Sequence, residues 1–372
     1  MHFVIVGALP QSLYNFRGDL IRAVVARGHR VTAMAAAASA GDIARINALG
    51  ADFEPFPVER SGVNPLADVA SFGVLRATFR RLAPDVVLAY TIKPVIWSGL
   101  ALRSSPSLAK TRFFALVTGL GYSFAGKGAV RRGLRSLVTQ LYRLALARAT
   151  ATIFQNADNQ DVFLANAIVP AERCRIVDGS GVDADHFAAA PLAAEGTHFL
   201  LIARLLGDKG LREYAAAASL VHSQVPGTTF HLVGPPDQSP DGIPLDLVRD
   251  WHARGVLVYH GAADDVRPFI KACHVYVLPS YHEGMPRSVL EAMAMGRPIL
   301  TTNVPGCRET VADGVNGWLV PKGDAAALAE RMTWFIDNRG LWPAMGQASR
   351  ARVIARFDVR TINARMLDIM GL

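Results

Sequence analysis

Cysteine is scarce in this chain. The 372 residues include three, Cys174, Cys273 and Cys307, far apart and without a C-x-x-C pair, so neither a disulfide framework nor a thiolate zinc site is indicated. The ten histidines are scattered rather than clustered at metal-ligand spacing, which removes the other common zinc signature. No apolar run approaches the roughly 20 residues that a bilayer-spanning helix requires. The opening Met1-His2-Phe3-Val4-Ile5-Val6-Gly7 has no cationic lead and an apolar run too short for a signal peptide. A cytoplasmic protein is therefore expected, with only peripheral membrane attachment left open. Solenoid-length repeats and low-complexity tracts are missing too. Acidic residues are the minority charge, 31 against 39 Lys and Arg, and the resulting net +8 favours an anionic partner: nucleic acid, a nucleotide or an anionic lipid surface. The basic charge comes without the aromatic-basic blocks of an RNA or DNA module, so no nucleic-acid partner is expected.

What is present points to a folded α/β protein. With 51% hydrophobic and 19% charged residues the chain is globular throughout, and its length suits two domains. Short apolar runs at 3–6, 31–34, 86–89, 113–117 and 152–154 alternate with amphipathic stretches, the pattern of βαβ units on a parallel sheet. The pattern restarts with 199–203, 230–233, 256–259, 275–278 and 299–301. Two doubly wound, Rossmann-like domains facing a central cleft follow: 1–178, and 179–355, with a final helix at about 356–372 packing back on the first. The Ala/Pro-rich residues 188–196 read as the connection between them. Ligands of such sheets bind beyond the carboxyl ends of the strands.

The most informative segment runs from Pro279 to Pro298. A strand ends at Pro279, a loop carries Glu283, Gly284 and Met285, and a helix begins near Pro286 and stops at Gly296. Helical side chains lean toward the N-terminus, so Glu291 can reach back to the ligand that Glu283 meets. Backbone N–H groups at this helix start attract a diphosphate, and the two carboxylates can accept hydrogen bonds from sugar hydroxyls. Earlier, Arg204 and Lys209 stand five residues apart in a strand-to-helix turn with Gly207 and Gly210. Two cations there can clamp a diphosphate leaving group and do a metal's work, so a metal-independent enzyme without cofactor is expected.

Glu283 to Glu291 resembles the E-x7-E motif of retaining GT-B glycosyltransferases, and the wider segment is similar to glycosyltransferase family four. Arg204-Leu205-Leu206-Gly207-Asp208-Lys209-Gly210 resembles the family's R-x4-K-G phosphate loop, and Pro305-Gly306-Cys307-Arg308-Glu309 with Asp313-Gly314-Val315-Asn316-Gly317 its closing turns. The resemblance implies that Arg204, Lys209 and Glu283 are catalytic, with Glu283 on the sugar hydroxyls near C3 and Glu291 on the ribose of a UDP-sugar. It implies retention without a protein nucleophile, the leaving phosphate taking the acceptor's proton.

After the first strand, Gly7 opens a loop running to Asn15, Phe16 and Arg17; the family often carries paired glycines there, and G-x-G-x-x-G is missing, which argues against a dinucleotide. Gly7 is placed with the donor. Asn15 and Arg17 read equally as contacts to an acceptor phosphate or as a helix-start Asn and a solvated Arg. Thr91 and Lys93 follow one strand and Thr118 and Gly119 the next, all expected on the acceptor side, without the histidine many relatives place there. With Asn15-Phe16-Arg17 these blocks resemble bacterial N-acetylgalactosaminyltransferases acting on undecaprenyl-diphosphate-linked sugars. Residues 126–151 hold Lys127, Arg131, Arg132, Arg135, Arg143 and Arg148 and no acid, with Leu134, Leu137, Val138, Leu141 and Leu144 at helical spacing. Such a helix suits an anionic membrane surface or an ordinary core face; the lipid-linked acceptor favours the membrane. Two rival functions share the architecture, a UDP-sugar 2-epimerase and a non-catalytic sugar-nucleotide-binding partner. The leading expectation is transfer of N-acetylgalactosamine from UDP to an undecaprenyl-diphosphate-linked saccharide, at the inner face of the bacterial cell membrane.

Overall fold

The computed structural model describes residues 1–58, 65–119 and 129–372, so Lys127 and Leu120 to Gly126 of the segments above lie outside the described residues. The chain divides into two compact units: residues 1–180 with 360–372, and residues 181–359.

Unit 1 holds seven parallel strands, β1 (His2–Val6), β2 (Arg30–Ala35), β3 (Ala51–Pro55), β4 (Val86–Tyr90), β5 (Arg112–Val117), β6 (Ala151–Phe154) and β7 (Cys174–Ile176), in the order β3-β2-β1-β4-β5-β6-β7. Their side chains alternate between two buried layers. Val4, Val6, Val87, Ala89 and Phe113 pack on one face, and Phe3, Ile5, Val31, Leu88 and Phe114 on the other. A sheet covered on both faces needs apolar residues at every position, which is why these strands read as unbroken runs. The helix Val359–Met370 closes the second layer with Ile362, Met366, Leu367 and Met370; Arg112 Nη1 donates to its Met370 carbonyl at 2.6 Å.

Unit 2 repeats the winding with six parallel strands: β8 (Thr197–Ile202), β9 (Thr228–Val233), β10 (Val258–Tyr259), β11 (Val275–Leu278), β12 (Ile299–Thr302) and β13 (Gly317–Val320), ordered β10-β9-β8-β11-β12-β13. In both sheets the first strand of the unit lies beside the fourth, and the winding reverses direction between them. The helices after these two strands therefore pack on opposite faces and leave a crevice at the strands' carboxyl ends.

The Ala/Pro-rich residues 188–196 are not the connection between units. Ala190 and Leu192 pack into the core of unit 2, and the fully buried Arg297 donates to the Ala190 carbonyl at 3.0 Å and the Pro191 carbonyl at 3.2 Å. Arg297 satisfies backbone carbonyls that a folded-in loop would otherwise strand. The chain crosses at Ser180 and Gly181 instead, and recrosses after Val359. At the crossings Val182 pairs in parallel with Asp358.

Three imidazoles form a hydrogen-bonded row across unit 2. His198 Nδ1 lies 3.1 Å from His231 Nε2, and His231 Nδ1 lies 3.0 Å from His260 Nε2. Burial, reinforced by the neighbouring His260 and His198, pulls the His231 pKa down to about 4. An unfolded histidine takes up its proton near pH 6.5, whereas folded His231 resists until about pH 4. Stability is thus lost as pH falls through this window. Urea unfolding at pH 7 and pH 5 should differ by roughly 1 kcal/mol from this residue, the full shift being reduced by the solvent that reaches its partly exposed ring, and His231→Asn should shrink that difference. Equal slopes in the two proteins would refute the assignment.

Candidate active site

The strand order of unit 2 brings two loops together at the crevice between β8 and β11. Beyond β8, residues 203–210 turn into the helix Leu211–Gln224. Gly210 stands at φ +72, and a Cβ there would overlap the Pro279 carbonyl oxygen. Only glycine lets this turn lie against the β11 loop. As a consequence Lys209 Nζ reaches Glu283 Oε1 at 2.7 Å, with both side chains largely buried at 17% and 15% exposure. Ser280, fully buried, donates to the same Glu283 oxygen at 2.9 Å. The backbones are joined as well, Tyr281 N–H donating to the Asp208 carbonyl at 2.8 Å.

Two further turns frame Glu283. Its N–H donates to the Pro305 carbonyl at 3.0 Å, and Gly306, at φ +84, sits where a Cβ would collide with the Glu283 backbone. The Pro305-Gly306 turn thereby fixes the Glu283 main chain from the β12 side. The helix Arg287–Ala294 begins four residues after Glu283, with Pro286 as its N-cap. Glu291 lies one turn in, paired with Arg287 Nε at 2.8 Å and only 12% exposed.

Charge is balanced tightly. Burial works to lower the Lys209 pKa, but the Glu283 and Asp208 carboxylates outweigh it and hold the ammonium above its ordinary value. Asp208 is pushed up by burial, with Glu283 and Asp241 adding repulsion. Glu291 is also raised by burial, despite the Arg287 guanidinium beside it. Arg204 pairs with Asp237 from the loop after β9. Unit 2 thus gathers Arg204, Lys209, Glu283 and Glu291 on the loops and helix that follow β8 and β11. This arrangement can hold an anionic group between cations and a polyhydroxylated one against carboxylates. Asp208, Asp237, Asp241, Ser280 and Arg287 belong to the same cluster and were not singled out from sequence; the only sequence signal for Arg287 was its i,i+4 spacing to Glu291.

In unit 1 the corresponding crevice lies between β1 and β4. The helix after β1 starts at Pro10 and spans Pro10–Ala26, so Asn15 and Arg17 are helical residues rather than loop residues, a correction of the sequence reading. Asn15 is exposed. Arg17 is not solvated: it is 5% exposed and lies over the Tyr90 ring, 5.2 Å from its centroid. Gly7 is buried, and a Cβ there would overlap the Tyr90 hydroxyl, which in turn meets Ser12 Oγ at 2.7 Å. Gly7 thus makes room for a phenol. Thr91 caps the next helix at φ +69, an unusual backbone for a β-branched residue. Lys93 pairs with Asp68 at 3.0 Å. Thr118 and Gly119 follow β5 and end their described stretch.

The basic helix Ala129–Leu146 divides its apolar residues. Val138, Tyr142 and Leu146 enter the core of unit 1, whereas Leu137 and Leu144 are 54% and 47% exposed, and Arg132 and Arg135 of the same helix are exposed as well. Arg143 donates to the Asn166 carbonyl at 2.5 Å and Arg148 to the Ala109 carbonyl at 3.4 Å. Among the described residues, no helix is long and apolar enough to cross a membrane.

Two doubly wound units, the second with a paired-cation loop and an acidic loop at its switch point, define a glycosyltransferase of the GT-B architecture. Comparison with known proteins agrees. A family described as "Glycosyl transferase 4-like domain" matches residues 16–180, and "Glycosyl transferases group 1" matches 196–338; between them they take in most of both units, and the chain belongs to glycosyltransferase family four. It is 26% identical over 96% of its length, and 95% of the relative's, to the N,N'-diacetylbacillosaminyl-diphospho-undecaprenol alpha-1,3-N-acetylgalactosaminyltransferase of Campylobacter jejuni. A second relative is the UDP-Gal:alpha-D-GlcNAc-diphosphoundecaprenol alpha-1,3-galactosyltransferase of Escherichia coli, 23% identical over 64% of each chain. Among solved structures, Anabaena HepE in complex with UDP superposes with a TM-score of 0.80 over the full length of both chains at 19% identity, a likeness of fold.

Proposed function

We propose that this enzyme transfers N-acetylgalactosamine from UDP-N-acetylgalactosamine to an undecaprenyl-diphosphate-linked saccharide, with retention at the anomeric carbon, during assembly of a bacterial surface polysaccharide or glycoprotein glycan. The convergence of Lys209 and Glu283 at 2.7 Å, on loops from neighbouring strands, carries the reading. Arg204, Lys209 and the N–H groups of Gly284 and Met285 ahead of Pro286 hold the diphosphate, Glu283 holds the sugar, and Glu291 holds the ribose. In transfer, the C1–O bond to the diphosphate breaks, the acceptor oxygen bonds to C1 on the same face, and the acceptor's proton passes to the departing phosphate oxygen. The two cations stabilise the charge that builds on the leaving group, so no metal ion is required.

Asn15, Arg17, Thr91, Lys93, Thr118 and Gly119 of unit 1 are assigned to the acceptor. The kinship with transferases whose names specify diphospho-undecaprenol substrates supports a lipid-linked acceptor. The exposed Leu137 and Leu144 among arginines suit a peripheral site on the inner face of the cell membrane, apolar side chains entering an anionic leaflet.

The test offers the purified enzyme UDP-N-acetylgalactosamine, UDP-N-acetylglucosamine, UDP-galactose and UDP-glucose, with an undecaprenyl-diphosphate-linked acceptor in anionic vesicles and excess EDTA. An α-linked product from the first donor, and flotation of the protein with the vesicles that Leu137→Glu weakens, are the expected results. Turnover of the donor without acceptor, or a β-linked product, would overturn the assignment.

A further inference from the structure

The loop after β9 lies along the diphosphate loop on the side away from Glu283, because β9 flanks β8 opposite β11. Backbone bonds lace the two together: Leu205 N–H donates to the Pro235 carbonyl at 3.0 Å, Ile243 N–H to the Leu205 carbonyl at 2.8 Å, and Gly207 N–H to the Asp241 carbonyl at 2.9 Å. Two carboxylates complete the seam. Asp241 Oδ2 accepts from Asp208 N–H at 2.7 Å. Asp237, 12% exposed, accepts from Ser239 N–H at 2.9 Å and from Arg204 Nη1. We propose that Asp237 is a positioning residue for the donor's diphosphate: it holds the Arg204 guanidinium in place before the donor arrives, with one edge of the fork bound and another presented to phosphate oxygen.

The proposal rests on the phosphate role assigned to Arg204 above. Its physical basis is the freedom of the arginine side chain. An exposed ion pair adds little stability, but an arginine side chain carries much rotamer freedom, part of which is otherwise lost on binding the ligand. Asp237 is itself anchored, by the Ser239 N–H in a loop stiffened by Pro235, Pro236 and Pro240. The Ser239 hydrogen bonds and the Arg204 guanidinium overcome the effect of burial and keep its carboxyl below the usual range, so it remains an anion wherever the enzyme works. A guanidinium offers five donors in one plane, and one carboxylate does not exhaust them.

The experiment is a double-mutant cycle on the full-length enzyme, with calorimetric titration of UDP and steady-state transfer as readouts. Asp237→Ala should weaken UDP binding and lower kcat/KM by about tenfold, the scale of one side chain left to be ordered on binding. Asp237→Asn, which keeps the shape and loses the charge, should fall between. In an Arg204→Ala background, Asp237→Ala should cause no further loss, an outcome that general damage to the loop would not produce. Losses that multiply in the double variant, or UDP bound as tightly or more tightly by Asp237→Ala, would overturn the proposal; tighter binding would mean that Asp237 competes with phosphate for Arg204. Undiminished UDP affinity in Arg204→Ala alone would overturn the phosphate role and this inference together, whereas a defect confined to that variant would sink only the inference.

Discussion

Lys209→Ala should lower kcat/KM for sugar transfer by about 10²- to 10³-fold, the loss typical when one preorganised donor to developing negative charge is removed. The same change should cost about 3 kcal/mol of unfolding free energy, because it leaves buried carboxylates without their cation. Lys209 sits against Glu283 and Asp208, and Asp208 is already pushed up by burial and by Glu283 and Asp241. Without the ammonium, Asp208 in the folded protein should hold its proton to higher pH than in the unfolded chain. The Asp208 contribution to the variant's stability should then be greatest in acid and fall as pH rises through that elevated pKa. Urea unfolding at pH 5 and pH 8 checks this: the gap from the parent should be smaller at pH 5. Wild-type transfer by Lys209→Ala would remove the central role given to this side chain.

The second large effect concerns a residue with no side chain. Gly210→Ala places a methyl group on the Pro279 carbonyl oxygen and forces φ near +72 on an L-residue. The left-handed backbone costs roughly 1–2 kcal/mol and the overlap a further 1–3 kcal/mol. The turn should yield rather than the strands, backing away from Pro279 and drawing Lys209 off Glu283. A lowered Tm and a donor Kd raised at least tenfold are expected together. Alanine at Gly255, also at positive φ but with open space around it, should show the backbone cost alone and leave donor binding unchanged, and a similar binding loss there would show that the contact with Pro279 is not the cause.

The donor residues could be read from sequence because each follows a strand that declares itself. β8 and β11 are buried on both faces, so their apolar runs are continuous, and Arg204 and Glu283 stand a few residues beyond them. β3, β7 and β13 escaped notice. β3 carries Asp52 and Glu54 at a sheet edge, β7 is three residues with Arg175 at its centre, and β13 opens on glycine. Edge strands need no unbroken apolar run, so they carry little of that signal. The helix Pro10–Ala26 has Leu9 at its N-cap with no side-chain capping bond, and Pro10 at its first turn was the one start signal; the sequence reading therefore left Asn15 and Arg17 in a loop. Asp237 and Asp241 were hidden for another reason. Their loop, rich in proline, serine and glycine, has the composition of any turn, and its contacts lie 33 residues away in sequence, fixed by strand order alone.

The return of the helix Val359–Met370 to unit 1 bears on how the protein is made. On the ribosome the strands of unit 1 emerge first, yet the sheet face formed by Phe3, Ile5, Leu88 and Phe114 lacks its cover of Ile362, Met366, Leu367 and Met370 until all of residues 181–359 have been synthesised. Throughout that interval the nascent chain carries an open apolar groove, a natural target for chaperones, and any product truncated before Val359 keeps it permanently. Premature termination should thus yield polypeptides that proteases clear, even when every residue of the donor site is present.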